Sequence, residues 1–489
     1  MIQGGSGNII GGNNSLNSEF NVISGNANDG ILIRFSSNNE ILGNRIGTNT
    51  SGSAAIPNGG NGVQLTLGSS GNRIGPPVDF NPSDSTYRNI IAGNNGYGVR
   101  INESSTTSVN GNWIGANNLL NVRIPNKLGG VAVFSTNTGA ASSNTIGGNT
   151  ASTRNIIAGN NGPGVAILGP RANDNKIANN YIGIGFSNSV PVSNTFGVLI
   201  DGGGDGNIVG GNGTRALNNV ISGNARDAVR ITGASSNPAS GTIISGNYIG
   251  TTATGSGSIP NAGAGIAIDT NVRLTRIGGA TIDASNVIAH NGGDGILITG
   301  TQVLTNTLLK NTIAFNTGNG VRINGARSTL MSGVDVAGAN QIANNGANGI
   351  LVTGAVSTTI QFNALVSNGQ NGIRVDGGAA LTNIYTNTIL SNIQNGVLVQ
   401  GNNTKQARII DNRISDNGLE GIEPAAEHAP RKRREEHEPQ AAEEEQHARA
   451  RRARHGHGAA TSARASNART RRDPRTSSAE TSATASESA

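Results

Sequence analysis

The 489-residue sequence contains no cysteine, and aromatic residues make up only 3% of it. The absence of cysteine excludes disulfide bonds and thiol chemistry. Charged residues are also scarce, at 13%. No apolar run approaches the roughly 18–20 residues that are needed to cross a bilayer. We therefore expect neither a deep globular core nor insertion into a membrane.

The net charge of +6 does not indicate nucleic-acid binding. From residue 425 onward there are 13 Lys or Arg and 10 Asp or Glu, which gives +3 and leaves +3 for the rest of the chain. The opening MIQGGSGNII lacks the charged and apolar segments of a signal peptide. It already resembles the sequence that follows, so we expect the natural start to be missing.

Glycine is abundant, with 73 residues, and two short phrases recur along the chain. The first is N-[VI]-I-x-x-N, as in NVISGN at Asn21 and NIIAGN at Asn155. The second is G-[VI]-x-[VIL], as in GVRI at Gly98 and GILI at Gly295. Alternating β-branched residues bounded by Gly and Asn are typical of short strands between turns.

Three such strands fit into one period, and no single period can bury its own apolar face. If each strand pairs with its copy one period later, the strands are parallel and their inward Ile and Val side chains form one continuous core. The sequence therefore predicts an all-β protein, a right-handed parallel β-helix of about 13 coils. We expect long coils with inserted loops over residues 1–294 and short coils over residues 295–423.

The Asn that closes each N-x-I-x-x-N phrase is predicted to occupy a sharp corner and to bond through its side-chain amide to the copies above and below. The predicted ladder consists of Asn26, Asn94, Asn160, Asn224, Asn291, Asn316, Asn345, Asn368 and Asn392.

These repeats resemble the bacterial right-handed parallel β-helix proteins of the pectin-lyase-like group, over residues 1–423 or so. The resemblance implies a secreted or cell-surface location. That scaffold carries lyases, hydrolases, epimerases, adhesins and inert spacers, so it does not select a function. The Asn-Thr-Asp, Asp-Asp and Arg-Ile-Lys motifs of polygalacturonase-like enzymes are absent from residues 1–424, as is Gly-His-Gly. We therefore predict no catalytic residue.

A longer phrase, such as GNYIGTTATGSGSIPN at Gly246, occurs four times and then stops. In the same part of the chain, the residue between Asn and Ile in the N-x-I phrases, which is predicted to point outward, is mostly apolar. Each of these loops ends in a β-branched residue followed by proline, namely Ile56, Ile124, Val190 and Ile259. We predict that the loops fold back over this apolar stripe and bury it. The alternative is that Trp113, Tyr181 and Tyr248 form an open row on which sugar rings stack.

Other candidate groups are few. His290, the one histidine before residue 425, is expected at a solvated turn. Asp201 and Asp205 could share a calcium ion, although a turn with solvated carboxylates is the simpler interpretation. Four arginines occupy the outward position of the G-[VI]-x-[VIL] phrases or their variant AVRI, and we predict that they either bind uronate carboxylates or form an ordinary solvated face. They are Arg100, Arg230, Arg322 and Arg374.

From residue 425 to the end there is no Val, Ile, Leu, Met, Phe, Tyr or Trp. Such a segment cannot bury a core, so residues 424–489 are predicted to be a disordered low-complexity tail. The repeat breaks off within a strand and continues in Ala, Arg, Pro, His and Glu, which are typical of GC-rich codons. We therefore prefer to interpret the tail as a frameshift product over a genuine charged tail.

Two functional hypotheses follow. The leading hypothesis is a non-catalytic, elongated scaffold that contacts polysaccharide or other surface material. The alternative is a polysaccharide lyase or glycosidase with its site near Asp201 and Asp205. An enzyme is expected to bring together several charged or His groups from adjacent coils. The sequence gives no oligomeric state.

Overall fold

The computed structural model describes residues 1–12, 20–78, 87–117, 119, 121–185, 190–211, 218–332 and 339–424. These residues belong to the first of two units, Met1–Glu427. The predicted tail lies outside the described residues. Within them, one 3-10 turn at Ala151–Thr153 is the only helical segment, and no helix is long and apolar enough to cross a membrane.

The described strands form three long parallel sheets, in which each strand pairs with its counterpart from the preceding and following coils. Sheet A, built from the G-[VI]-x-[VIL] phrases, comprises Ile2–Gln3, Ile31–Arg34, Val63–Thr66, Tyr97–Asn102, Gly129–Phe134, Val165–Leu168, Val198–Asp201, Val229–Thr232, Ile266–Asp269, Ile296–Thr299, Val321–Asn324, Ile350–Thr353, Ile373–Asp376, Val397–Val399 and Ile422–Glu423.

Sheet B follows sheet A in each coil and comprises Ile9–Gly11, Glu40–Leu42, Arg73–Ile74, Ser108–Val109, Thr145–Gly147, Lys176–Ala178, Ile208–Gly210, Ile243–Ser245, Arg276–Gly278, Thr307–Leu309, Leu330–Ser332, Thr359–Gln361, Asn383–Tyr385 and Arg408–Ile410. Sheet C, built from the N-x-I phrases, comprises Val22–Ile23, Arg45–Ile46, Ile90–Ile91, Trp113–Ile114, Ile156–Ile157, Tyr181–Ile182, Val220–Ile221, Tyr248–Ile249, Val287–Ala289, Thr312–Ala314, Gln341–Ala343, Ala364–Val366, Thr388–Leu390 and Arg413–Ser415.

The described chain therefore makes 14 complete coils and one further strand of sheet A, against the predicted 13 or so. We number the coils 1–14 in chain order. A small three-stranded sheet, Gly204–Asp205, Ala239–Ser240 and Val272–Arg273, widens the turn between sheets A and B in coils 7–9. The parallel β-helix predicted from the sequence is confirmed.

One apolar core runs through all the coils, because the inward Ile and Val side chains of the three sheets stack on one another. Ile33, Ile101, Ile167 and Ile389 are among its fully buried members. Each coil thus buries its inner face against its neighbours and not against a second layer, as the repeat pattern requires.

The predicted asparagine ladder is confirmed, and it contains one residue from every coil. Each side-chain amide donates to the Oδ1 of the next member over 2.8–3.2 Å. Five members were not predicted, namely Asn58, Asn126, Asn194, Asn261 and Asn417. The first four close the long loop phrases, so each loop ends on the residue that restores the ladder.

The Asn that opens each phrase forms a second ladder, which the sequence analysis missed. Its side chains are joined by hydrogen bonds of 2.8–3.2 Å. The members are Asn21, Asn44, Asn89, Asn112, Asn155, Asn180, Asn219, Asn247, Asn286, Asn311, Asn340, Asn363, Asn387 and Asn412.

Coils 1–9 carry two kinds of longer connection, which alternate. In coils 2, 4, 6 and 8 the chain forms a hairpin between sheets C and A, closed by antiparallel bridges such as Thr48 to Ala55 and Thr251 to Ser258. In coils 1, 3, 5, 7 and 9 the longer connection lies between sheets B and C, as at residues 148–155. Described residues of both kinds lie against the outer face of sheet C: Gly255 of a hairpin lies against Tyr248, and Arg154 of a longer connection lies over the Tyr181 ring, 4.5 Å from its centroid.

Candidate functional site

The outer face of sheet A carries three columns of side chains. In coil 4 they are represented by Tyr97 in the first column, Arg100 in the middle and Asn102 in the last. The register of the parallel strands places Gly129, Ala132 and Phe134 directly beside them in coil 5. Because each strand repeats this geometry, the face can be read coil by coil.

Coils 4–7 present an apolar patch on this face, which we define as Tyr97, Phe134, Leu168, Phe196 and Leu199. Each of these five side chains is half-buried. Between them lie Ala132 and Ala166, which are only 1% exposed because their larger neighbours cover them. Half-exposed aromatic and aliphatic side chains grouped on one face are typical of a binding surface.

The patch is bordered by two of the predicted arginines. Arg100 lies over the Phe134 ring, 5.1 Å from its centroid, and donates to Asn102 Oδ1 over 3.5 Å. Arg230 lies 6.0 Å from the centroid of the Phe196 ring at the other end. The middle-column positions of the two arginines are four coils apart, so about 19 Å separates them along the sheet.

The four predicted arginines differ in their partners. Arg230 forms ion pairs with Asp227 and Asp269, Arg322 with Asp294 over 3.7 Å, and Arg374 with Asp376 over 2.7 Å. Arg100 has no carboxylate within ion-pair distance in the described part of the chain. Its positive charge is therefore the one in this set that an acidic ligand would find unpaired.

Tyr97 closes the patch in the first column. Its ring lies against the next coil, where a Cβ on Gly129 would be 2.7 Å from Pro163 O and 3.0 Å from Tyr97 Cε1. These contacts and the positive φ of Gly129 (148°) together explain why that position is glycine. Burial raises the pKa of the Tyr97 phenol, and the positive charge of Arg100 partly opposes this change. The phenol therefore keeps its proton at neutral pH.

Charged groups converge next to the patch in coils 7–9. Asp227 and Asp269 both contact Arg230, and the Thr232 hydroxyl donates to Asp201. Asp227 Oδ1 also accepts a hydrogen bond of 2.8 Å from the backbone N–H of Ala264. The cluster thus contains Arg230 between two carboxylates, one of which also accepts a hydrogen bond from the backbone.

The predicted stacking row on sheet C lies where the sequence placed it, but it is largely covered. Tyr248 is 8% exposed and packs with Ile184, Val220 and Ile259, while a Cβ on Gly255 of the hairpin would be 2.7 Å from its Cε1. Trp113 and Tyr181 are half-buried. The hairpins therefore cover these rings, and no measurement tests sugar binding by them.

The residue before the proline is not buried in every hairpin. Ile124 and Ile259 are buried, at 5% and 4% exposure, whereas Ile56 is 44% exposed. In the third hairpin the residue equivalent to Ile124 is Val192, whose backbone N–H donates to Gly183 O as that of Ile124 donates to Gly115 O. Val192 is 4% exposed, whereas Val190, which precedes the proline of this loop, is 45% exposed.

The proposed calcium ligands lie on different elements. Asp201 ends a strand of sheet A, whereas Asp205 belongs to the small sheet, and both side chains are exposed. The described residues contain no group of three or more His, Asp or Glu side chains that could hold a metal ion. Calcium binding stays an untested prediction.

His290 lies at a corner, with a left-handed backbone (φ 62°), and its ring stacks on Phe315 with 5.2 Å between centroids. Burial lowers the pKa of its imidazole. The equivalent corners in earlier coils are glycines with similar φ, such as Gly159 and Gly223.

Comparison with known proteins adds the handedness of the fold. Residues 278–427 match the family model described as a right handed beta helix region. The chain is a right-handed parallel β-helix protein. Since the three sheets continue in register from the first coil to the last, the same winding holds throughout the described residues. No curated protein matches the sequence significantly.

Among solved structures, the chain is similar to a periplasmic alginate epimerase (12% identity, TM-score 0.40, covering 78% of this chain and 79% of that one). It is also similar to the A-module of a mannuronan C-5 epimerase from Azotobacter vinelandii (14%, TM-score 0.39, 82% and 89%). A third similar structure is a DFA-IIIase from Arthrobacter chlorophenolicus (11%, TM-score 0.33, 68% and 82%). Such low identities say nothing about activity.

Sequence reasoning found Arg100 and Arg230 but missed Tyr97, Phe134 and Phe196 beside them. The signal was available, because aromatic residues are rare in this chain and these three lie directly beside the G-[VI]-x-[VIL] phrases of coils 4, 5 and 7. They were missed because the prediction considered only the outward residue inside each phrase and not the positions flanking it.

Proposed function

We propose that this protein is a non-catalytic, elongated scaffold, secreted or on a cell surface, and that the outer face of sheet A at coils 4–8 contacts polysaccharide. The observation that carries the proposal is the apolar patch, with Arg100 at one end and Arg230 at the other. The remaining predicted contacts, Trp113, Tyr181, Tyr248, Arg322 and Arg374, stay predictions.

The chemistry of the patch supports a sugar polymer as the ligand. A pyranose ring has an apolar C–H face, which packs on aromatic and aliphatic side chains, and polar groups around its edge, which need donors and acceptors. The patch supplies the first, and Arg100, Asn102 and Thr232 at its ends supply the second. The parallel strands extend this surface along one direction, which suits an extended polymer.

The contacts of the two acids beside Arg230 favour binding without catalysis. Asp227 and Asp269 are paired with Arg230, and Asp227 also accepts from the backbone. The contacts of both carboxylates are thus made within the protein. A general acid, by contrast, has to lie within hydrogen-bond reach of the substrate oxygen that it protonates.

Binding to glycans tests the proposal directly. The full chain is applied to a glycan array, and the best ligand is titrated by calorimetry against wild type and the double variant Phe134→Ser/Leu168→Ser. We expect the double variant to lose at least tenfold in affinity, because the packing surface for the sugar rings is removed.

The matched control is Leu297→Ser/Leu351→Ser, which changes two middle-column leucines of coils 10 and 12 on the same sheet. It is expected to bind like wild type. Far-ultraviolet circular dichroism of all three proteins checks the fold. Equal affinity of the patch variant and wild type, or no binding to any glycan, contradicts the proposal.

A lyase or glycosidase is the second candidate, and one observation favours it. Asp227, Arg230 and Asp269 converge from adjacent coils beside the apolar patch, as an active site would require. Assays for new reducing ends and for unsaturated uronate on the glycans that bind distinguish the two functions. Turnover by wild type that Arg230→Gln abolishes would establish the enzyme and exclude the scaffold.

A further inference from the structure

We propose that the glycan bound by sheet A carries apolar substituents, such as acetyl groups, on neighbouring sugar units and an acidic group beside them. This inference rests on the function proposed above and concerns the same site. It follows from the kinds of side chain that the patch offers, coil by coil.

Coils 5 and 6 offer no polar side chain on this face. The three columns there hold Gly129, Ala132 and Phe134 in coil 5, then Pro163, Ala166 and Leu168 in coil 6. Two adjacent coils cover about 10 Å along the direction of the columns. A ligand segment lying over them therefore meets only carbon.

The backbone of these strands supplies no substitute. Its N–H groups and carbonyls are already used between coils, as where Gly130 donates to Pro163 O, Val131 to Gly164 O and Ser135 to Leu168 O. A sugar hydroxyl pressed onto this surface would lose its water and find no partner, which is unfavourable. A methyl or acetyl group in the same place would bury apolar surface, which is favourable.

The same sheet shows that this apolar stretch is not a general property of the fold. In coils 11–13 the last column consists of Asn324, Thr353 and Asp376, all of them half-buried. The first-column residues Asn319, Asn348 and Asn371 are buried and bonded to one another, so it is the last column that offers a hydrogen-bonding group in every coil. Coils 5 and 6 are therefore specialised for ligand groups that need none.

The acidic group is assigned from Arg100. Its guanidinium is half-buried against Phe134 and has no ion-pair partner in the described chain, whereas Arg230, Arg322 and Arg374 each have a carboxylate. Arginine binds carboxylates strongly when part of its hydration is already removed. A uronate, or another acid-bearing sugar, next to the substituted units fits this position.

The test compares acidic polymers that differ only in acetylation. Polygalacturonate is prepared with and without O-acetyl groups at equal chain length, and binding to the full chain is measured by calorimetry. We expect the acetylated form to bind at least tenfold more tightly. Phe134→Ser/Leu168→Ser should remove this preference, and Arg100→Gln should weaken both forms at least fivefold, with partial recovery in Arg100→Lys.

The outcomes separate the two proposals. If binding depends on the patch but the deacetylated form binds equally well or better, the inference about substituents is wrong and the polysaccharide function stands. If Arg100→Gln binds all forms like wild type, the acidic group is wrongly assigned. If neither form binds although another glycan does, the inference about acetylated acidic polymers is wrong. If no glycan binds, or if the patch variant binds like wild type, the proposed function itself fails.

Discussion

Coils 1–9 and coils 10–14 are wound on the same three sheets and share both asparagine ladders, but the outer face of sheet C is finished differently in the two regions. In the first region hairpins and longer connections flank it, and its outward residues are mostly apolar, from Val22 to Val287. In the second region the same column holds Thr312, Gln341, Ala364, Thr388 and Arg413. The core is thus independent of how the surface is covered.

The corners show how strictly the hairpins constrain the sequence. Gly159 lies between two hairpins, and a Cβ there would be 2.6 Å from Gly115 O and 3.2 Å from both Arg123 and Val192. After the last hairpin, the same corner is occupied by His290, Phe315, Asn344 and Ser367, all with φ near 60°. The backbone conformation is therefore constant, and it is the hairpins that exclude side chains.

The largest effect is expected where the two regions are alike. Asn126→Ala in coil 4 and Asn368→Ala in coil 12 should each lower the free energy of unfolding by about 3–5 kcal/mol, because fully buried ladder partners lose their hydrogen bonds. Urea unfolding followed by circular dichroism measures both. A loss in one region only would mean that the ladder stabilises the coils unequally.

The second-largest effect on stability should differ between coils 1–9 and coils 10–14. Gly159→Ala is expected to lower the free energy of unfolding by about 2–3 kcal/mol, because the left-handed backbone and the hairpin contacts both oppose a side chain. The reverse change at an uncovered corner, Ser367→Gly, removes a Cβ at a similar φ and should change the free energy of unfolding by no more than about 0.5 kcal/mol. A gain in Ser367→Gly as large as the loss in Gly159→Ala would show that conformation alone selects glycine.

Coverage itself can be seen by fluorescence, since Trp113 is the only tryptophan. Its emission should be blue-shifted and weakly quenched by acrylamide because a hairpin packs on it. In the variant Trp113→Phe/Thr388→Trp, the tryptophan stands in the same column of coil 13, where only short turns join sheet C to the sheets before and after it. We expect red-shifted emission and quenching at least threefold stronger; equal quenching would argue against coverage.

The smallest effect concerns His290, where the hairpins end. Because burial lowers its pKa in the folded protein, the unfolded chain binds the proton more tightly. This residue therefore contributes a small loss of stability as the pH falls below about 6.5, its unfolded pKa. A nuclear magnetic resonance titration should give a pKa below 6.5 for the resonance that His290→Asn removes. A pKa above 6.5 would mean that protonation of His290 stabilises the folded protein.

Much of the fold could be predicted from the sequence, because a fixed period with alternating β-branched residues allows few other structures. The outward column of sheet C was predicted residue by residue, and the strand pairing reproduces it. The ladder members Asn58, Asn126, Asn194 and Asn261 were missed because the hairpins separate them from their phrases. Their distances along the sequence from the other ladder residues vary with the length of the hairpin. In the structure, by contrast, each lies one coil from its ladder neighbours.

Less of the candidate site could be predicted. The patch depends on which flanking residues lean over Ala132 and Ala166, and a one-dimensional pattern does not give the direction of a side chain at a corner. Likewise, Asp227 is 42 residues from Asp269, yet both contact Arg230 because adjacent coils bring them together. The sequence identified the arginines but not their partners.

In both full-length ladders every amide donates its proton toward the following coil and accepts from the preceding one. Their dipoles consequently add along the solenoid axis, like the peptide groups of an α-helix. Each link also polarises the next, so that a bond in the middle is stronger than an isolated one. The interior thus has a net dipole along the solenoid axis. Removing one amide should weaken the ladder hydrogen bonds in the coils on both sides of it.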